Sequence, residues 1–325
     1  MEMSGQGQRA GAPALHRLGR FFLRVLVSGA SGLIGRALLL SFTRATEVVR
    51  LVRGPAHNSG QISWDPLVAL PPAAVSGFDA VIHLAGESVV GRWTEAKKKA
   101  IRESRVLSTR NLATALAQCE AKPRVFICAS AIGFYGDRGD EVLREESAAG
   151  QGFLPAVCCE WEYASRIAAE AGIRTVNIRT GLVLSAKGGA LAKMSTPFKL
   201  GLGGRLGSGR QWMNWIHIDD LVGAIQHALG TEALSGPVNL VGPNPVRNAE
   251  FTEVLAAVLR RPAVFSVPEL ALRLAFGKEA AEEMLLASQR VEPAKLVASG
   301  YEFRFRELRA ALEGLSLSDP ESTRT

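Results

Sequence analysis

The sequence predicts an α/β fold: a doubly wound parallel sheet with helices on both faces, followed by a smaller, mostly helical C-terminal region. Three observations carry this. Short apolar runs alternate with helix-periodic stretches from Phe21 to Leu184, the signature of strand–helix–strand units. The first run ends in a glycine turn that opens directly into an apolar helix. Residues 265–316 read as a small helical appendage.

Taken in order, Phe21 to Ser28 is an apolar run and reads as a buried strand. Glu47 to Arg53 reads as the second strand and Val81 to Gly86 as the third. Trp93 to Gln118 is charged on one side and apolar on the other through Ile101, Val106, Leu112 and Leu116, so it reads as one long amphipathic helix. Arg124 to Ser130 is the next strand, Leu154 to Ala171 a helix, and Thr175 to Leu184 a further strand with its exit. Residues 185–210 are rich in glycine and lysine and read as a flexible loop system over a site. A short strand ending at Ile218 follows, then a helix capped by Asp219 or Asp220; Asn248 is placed as the cap of a helix starting at Ala249. The expected organisation is a disordered leader over 1–20 and a nucleotide-binding domain over 21–184. Substrate-side loops, strands and helices that return to the core follow over 185–264, then a small helical domain over 265–316 and a tail over 317–325.

The glycines point to a ligand. Gly29, Gly32 and Gly35 stand between the first strand and its helix. Strand, glycine turn, helix is the Rossmann-like geometry that holds a dinucleotide pyrophosphate, because glycine lets the backbone approach the phosphates and the helix N-terminus offers free N–H groups. The expected cofactor contacts are Gly29, Ser31, Gly32, Leu33, Ile34 and Gly35, with Gly32 expected to adopt an unusual backbone angle. Strand ends at the same edge add Val52, Arg53, Leu84, Ala85, Gly86, Glu87 and Leu184. An acid at the end of the second strand would hold the ribose hydroxyl of NAD. Arg53 stands there instead and suits the 2′-phosphate of NADP(H).

Composition narrows the class. Of 325 residues, 47% are hydrophobic, enough for a full core. The net charge of +7 is spread along the chain; Lys97, Lys98 and Lys99 form the compact cluster and read as a helix face, so no specific nucleic-acid partner is expected. No apolar run is long enough to span a membrane. Cys119, Cys128, Cys158 and Cys159 lack metal-ligand spacing, which fits a reduced, cytoplasmic protein without a metal. A small-molecule substrate and a monomer or homodimer are expected.

Several blocks in the same order, GASGLIG, HLAGES, RWTEAKKKAIRESR, CASAIGFYG, CCEWE, RTGLVLSAKGGAL, PFKLGLGG, WIHIDD and NAEF, resemble one branch of the atypical, extended short-chain dehydrogenase/reductases. This is the YfcH-like family of NADP-dependent epimerases or oxidoreductases. The tail VPELALRLAFGKEAAEEMLLASQRVEPAKL resembles that family's C-terminal domain of unknown function. The resemblance covers about residues 22–315 and implies hydride transfer at a carbonyl or alcohol carbon, with Arg105 as a cofactor-contacting arginine. It names no substrate.

The wider superfamily uses a serine, then Tyr-x-x-x-Lys on the following helix. Here Ser130 stands at the serine position, while Cys158 falls at the tyrosine position and Glu162 at the lysine position. Neither replaces the usual residue simply, since a thiol needs a tuned pKa and a carboxylate repels phosphate. The expected catalytic set is therefore Ser130, to hold the substrate oxygen, with Cys158, Tyr135 or Glu87 to handle the proton. Tyr163 is followed by Arg166 and Ile167 rather than by a lysine at the right spacing, and is expected to leave the cofactor face. His217 reads as a packed or capping histidine, and Gln211 and Trp215 are placed at the border of a substrate pocket. The missing Tyr/Lys pair also keeps open a catalytically silent NADPH-binding sensor or partner-binding protein.

Overall fold

The structure, a computed structural model, describes residues 23–315 and Leu317. The expected leader over 1–20 and all of the expected tail but Leu317 lie outside the described residues, as do Phe21 and Phe22. The chain runs through β1 (Leu23–Ser28), α1 (Leu33–Ser41), β2 (Thr46–Val52), β3 (Gln61–Ser63), β4 (Ala80–His83), α2 (Glu95–Gln118), β5 (Val125–Ala131), β6 (Val142–Leu143) and α3 (Phe153–Glu170). It continues through β7 (Arg174–Thr180), β8 (Leu182–Leu184), α4 (Gly189–Lys199), β9 (Gly204–Leu206), β10 (Trp212–Met213), β11 (Trp215–His217), α5 (Ile218–Gly230), β12 (Gly236–Leu240), β13 (Val246–Arg247) and α6 (Asn248–Leu259). The last elements are β14 (Phe265–Val267), α7 (Glu269–Phe276), α8 (Lys278–Ala281), β15 (Arg290–Val291), α9 (Ala294–Ala298) and α10 (Leu308–Glu313).

Seven strands form one parallel sheet in the order β12-β7-β5-β4-β1-β2-β3. The strand order reverses between β1 and β4, and a crevice opens at the carboxyl ends of strands flanking such a point. Alternation along each strand feeds two cores. Val25, Val27, Ile82, Ile127 and Ile178 pack on Leu38 of α1 and Leu221 and Ile225 of α5. Leu26, Val81, Phe126 and Cys128 face Leu112 and Leu116 of α2 and Trp161 and Ala168 of α3. Both faces are covered, which is why β1, β4 and β5 read as mostly apolar runs.

A third core joins α4, α6 and α10 through Leu191, Phe198, Phe251, Leu255, Leu308 and Leu312. Residues 185–210 are thus not a loop system throughout: α4 occupies Gly189–Lys199, because Leu191 and Phe198 supply an apolar face that the local glycine content masks. Of the expected caps, His217 keeps that role, while Asp219, Asp220 and Asn248 do not. His217 caps α5, its Nδ1 accepting the Asp219 N–H at 3.1 Å. Asp220 instead turns back to accept the N–H groups of Arg304 at 2.7 Å and Phe305 at 2.9 Å, and so straps the C-terminal segment to α5. Asn248 is the first residue of α6, and its Oδ1 accepts the Leu206 N–H from β9.

Candidate cofactor cleft and active site

The glycine turn lies at the point where strand order reverses. Gly29 has φ +70°, and a Cβ there would sit 2.6 Å from the Leu84 carbonyl carbon. A Cβ at Gly35 would sit 2.3 Å from the Gly29 oxygen. These two glycines close the turn against β4 and against itself. Gly32 differs. Its φ of −72° is ordinary, contrary to expectation, and a Cβ there would meet only the Gly29 oxygen, at 3.2 Å. Gly32 therefore leaves open space beside the first turn of α1, where the N–H groups have no partner within the helix.

A cleft of about 310 Å³ opens there, lined by Gly29, Gly32, Leu33, Ile34, Gly35 and Leu84, together with Gly181, Leu182, Val183, Gly189 and Ala190. The last five were not read from the sequence. Gly189 is brought there by α4, and a Cβ on it would press on Leu33 at 2.8 Å. Leu184, expected at the cofactor, is fully buried in the third core, because β8 turns its Leu182 and Val183 to the cleft instead. Its open glycine face fits the pyrophosphate of a dinucleotide.

The other expected cofactor residues end or follow β2 and β4, or lie on α2. Val52 ends β2 half-buried, and Arg53 follows exposed. Glu87 is held by Lys97 at 2.6 Å, and that hydrogen bond keeps its carboxyl below the usual range. Glu87 is therefore paired rather than a free carboxylate. Arg105 lies against the Trp161 ring, 5.1 Å to its centroid, and beside Gly86.

His83 couples the two strand ends. Its Nδ1 meets the Ser28 hydroxyl at 2.6 Å and its Nε2 the Ser108 hydroxyl of α2 at 3.2 Å. It is fully buried, and burial lowers its pKa to about 3. The unfolded chain therefore binds a proton that the native state refuses between about pH 3 and pH 6.5, and stability rises with pH across that window. Acid unfolding measured from pH 6.5 down to pH 5 should be less steep in His83→Gln than in wild type, by up to about 1.4 kcal/mol per pH unit. An identical slope in both proteins would remove His83 from the account.

Beyond β5 lies a buried polar network. Ser130 pairs in register with Arg179 of β7. Arg179 donates through Nε and a terminal nitrogen to both oxygens of Glu162, each at 2.8 Å. The Ser130 hydroxyl donates to Glu162 Oε1 at 2.7 Å. Arg179 also donates to the Tyr135 hydroxyl at 2.9 Å and the Glu145 carbonyl at 3.1 Å, and lies 3.5 Å over the Phe134 ring. Tyr135 in turn donates to Asn239 of β12 at 2.7 Å. Arg179 is 3% exposed and Glu162 13% in their side chains, so the carboxylate at the lysine position carries its own buried counter-ion.

Two of the expected proton carriers change here, while Tyr163 lies as expected. Cys158 is buried and burial pushes its thiol up to about 12, so it is no ready proton carrier. Tyr135 is fully buried with its hydroxyl engaged on both sides, and burial raises its pKa. Tyr163 is 67% exposed and points away from the network. Trp215 is packed in the third core rather than at a pocket border, and Gln211 is spent on the carbonyls of Leu206 and Leu285. Arg179 was missed because no spacing rule links a strand arginine to a helix carboxylate seventeen positions earlier.

The C-terminal region holds this site from outside. Glu283 accepts the N–H groups of Phe153 and Leu154 at 2.8 and 2.7 Å, capping α3, which has no local side-chain cap. Lys98 of α2 pairs with Glu279 at 2.9 Å.

Comparison with known proteins agrees with this geometry. Residues 25–242 match the model of the NAD dependent epimerase/dehydratase family, and residues 267–315 match a domain of unknown function, DUF1731. The chain belongs to the NAD dependent epimerase/dehydratase family. Within it, the chain is 44% identical over 291 residues to Epimerase family protein Mb2239 of Mycobacterium bovis, covering 89% of this chain and 96% of that one. It is 38% identical over 296 residues to the human Epimerase family protein SDR39U1, covering 90% of this chain and 99% of that one. The crystal structure of that human protein with NADPH superposes with a TM-score of 0.83 at 36% identity, over 90% of this chain and 99% of that one. A nucleoside-diphosphate sugar epimerase from Corynebacterium glutamicum gives 0.75 at 40% identity, over 90% of this chain and 58% of that one. Among the described residues, no helix is long and apolar enough to cross a membrane, and no group of ligating side chains could hold a metal.

Proposed function

We propose that this protein is an NADP(H)-dependent oxidoreductase or epimerase acting at a carbonyl or alcohol carbon of a small molecule. The observation that carries the reading is the open face of Gly32 beside the first turn of α1, at the point where strand order reverses. Gly29, Ser31, Gly32, Leu33, Ile34 and Gly35 would hold the pyrophosphate. Val52 and Arg53 would take the adenosine ribose with its 2′-phosphate, and Leu84, Ala85, Gly86, Glu87 and Arg105 would line the remainder. The NADPH bound by the human relative supports this choice. A bound nicotinamide would supply hydride exchange. Ser130 would bind the substrate oxygen beside it. The free, reduced cysteines fit a cytoplasmic location, and a monomer or homodimer suffices for the site.

Arg53 decides the cofactor. It is exposed at the strand end, so its contact to a 2′-phosphate forms at the surface, in water. Exposure holds such a charge-assisted contact to the low end of its range, about 1.5 kcal/mol, or roughly tenfold in affinity. Titration should show NADPH bound more tightly than NADH by wild type, with the gap closing in Arg53→Ala. Equal wild-type affinities would remove the argument.

The second reading, a silent NADPH-binding sensor, is favoured by the buried thiol at the tyrosine position. It predicts tight NADPH binding without hydride exchange with any carbonyl or alcohol.

A further inference from the structure

Ser130 carries a single hydroxyl proton, and the network determines where that proton points. Both oxygens of Glu162 accept from Arg179, which holds the carboxylate in place. A charged carboxylate has no proton to give, so in the 2.7 Å contact between Ser130 Oγ and Glu162 Oε1 the serine is the donor. Once this proton is committed, only lone pairs remain on Oγ for a ligand. This reverses the usual polarity of the superfamily's serine, which donates to a substrate carbonyl.

We propose that Ser130 meets the substrate as a hydrogen-bond acceptor, that the site therefore takes a hydroxyl-bearing carbon in preference to a carbonyl, and that Glu162 is the proton's destination. The proposal rests on the NADP(H) reading above. In the oxidative direction the ligand O–H proton passes to Ser130 Oγ while the serine's own proton passes to Glu162 Oε1. The O–H electron pair becomes the new C=O bond as the carbon's hydride leaves for the oxidised nicotinamide. The serine ends unchanged, and the carboxylate ends as a carboxylic acid beside Arg179. Arg179 keeps its bonds to Tyr135 and the Glu145 carbonyl throughout, so it holds its position as Glu162 changes charge. Arg179 is a positioning residue, while Ser130 and Glu162 handle the proton.

A joint neutron and X-ray structure of the deuterated protein with NADP⁺ tests the polarity without any known substrate. The expected result is a deuteron on Ser130 Oγ directed at Glu162; a deuteron directed into the cleft overturns the proposal. Matched probes then test the ligand class. With the NADP⁺-loaded protein, cyclohexanol should give a stronger saturation-transfer NMR response than cyclohexanone, by about threefold or more, the order expected of one modest hydrogen bond, and Ser130→Ala should abolish the difference. An equal or stronger response from the ketone overturns the preference for a hydroxyl. A fluorescence titration with NADPH separates the two levels: absent NADPH binding defeats the cofactor reading itself, whereas intact binding with a cleft-directed deuteron defeats only the serine's polarity.

Discussion

Gly32→Val loses NADPH affinity by at least about a hundredfold, or about 2.8 kcal/mol, while the protein stays folded. The backbone at Gly32 is already in an extended conformation that valine adopts, with φ −72° and ψ 174°. The valine Cβ meets only the Gly29 oxygen, at 3.2 Å, so a shift of a few tenths of an ångström accommodates it. Its two methyl groups then project into the cleft beside the N–H groups of Leu33, Ile34 and Gly35, where a pyrophosphate must approach. The loss of a glycine at the helix N-cap costs about 1 kcal/mol or less. Gly35→Ala is the contrast: its Cβ would lie 2.3 Å from a backbone oxygen, so the turn itself must open and stability falls together with binding. Circular dichroism and NADPH fluorescence distinguish the two variants. Wild-type affinity in Gly32→Val would mean that the pyrophosphate binds elsewhere.

The second large effect is on stability. Arg179→Met removes the counter-ion of Glu162 and the donor to Tyr135 and to the Glu145 carbonyl in one step. Removing one partner of a buried ion pair costs about 3–5 kcal/mol. Because Glu162 keeps 13% of its side-chain exposure, the lower end, about 3 kcal/mol, is expected. The double variant Arg179→Met with Glu162→Met should recover most of this loss, since replacing the whole pair by apolar groups leaves no stranded charge. Urea unfolding of wild type, both single variants and the double variant closes the cycle. A double variant no more stable than Arg179→Met would mean that the cost arises from the lost bonds to Tyr135 and Glu145, not from the stranded carboxylate.

Much of this architecture is legible in one dimension. The strands β1, β2, β4 and β5 and the helices α2 and α3 lie within a few residues of where apolar periodicity places them, because burial on two faces or on one helix stripe imposes that pattern directly on the chain. The glycine turn is legible for a similar reason: strand, glycines and helix are consecutive, so their geometry is local. Where local chemistry competed with distant partners, the reading failed. Asp220 has the residue type of a cap, yet two backbone N–H groups from Arg304 and Phe305 claim it. The glycines around α4 suggest a loop, yet Leu191 and Phe198 find a core provided by α6 and α10.

The active-site chemistry divides the same way. From sequence alone came the α/β class, the nucleotide cradle and Arg53 at the second strand end, each from residue type and short spacing, which a linear chain records. The placing of Cys158 and Glu162 at the Tyr and Lys positions came from the family resemblance. Tertiary structure alone decided what that replacement means. Parallel pairing of β5 with β7 sets Ser130 beside Arg179, and α3 packs across them to deliver Glu162, so a carboxylate that looked out of place is neutralised and orients the serine's proton. An ion pair depends on distances between atoms only a few ångströms apart in space, and the folding of the sheet, not the order of residues, brings those atoms together.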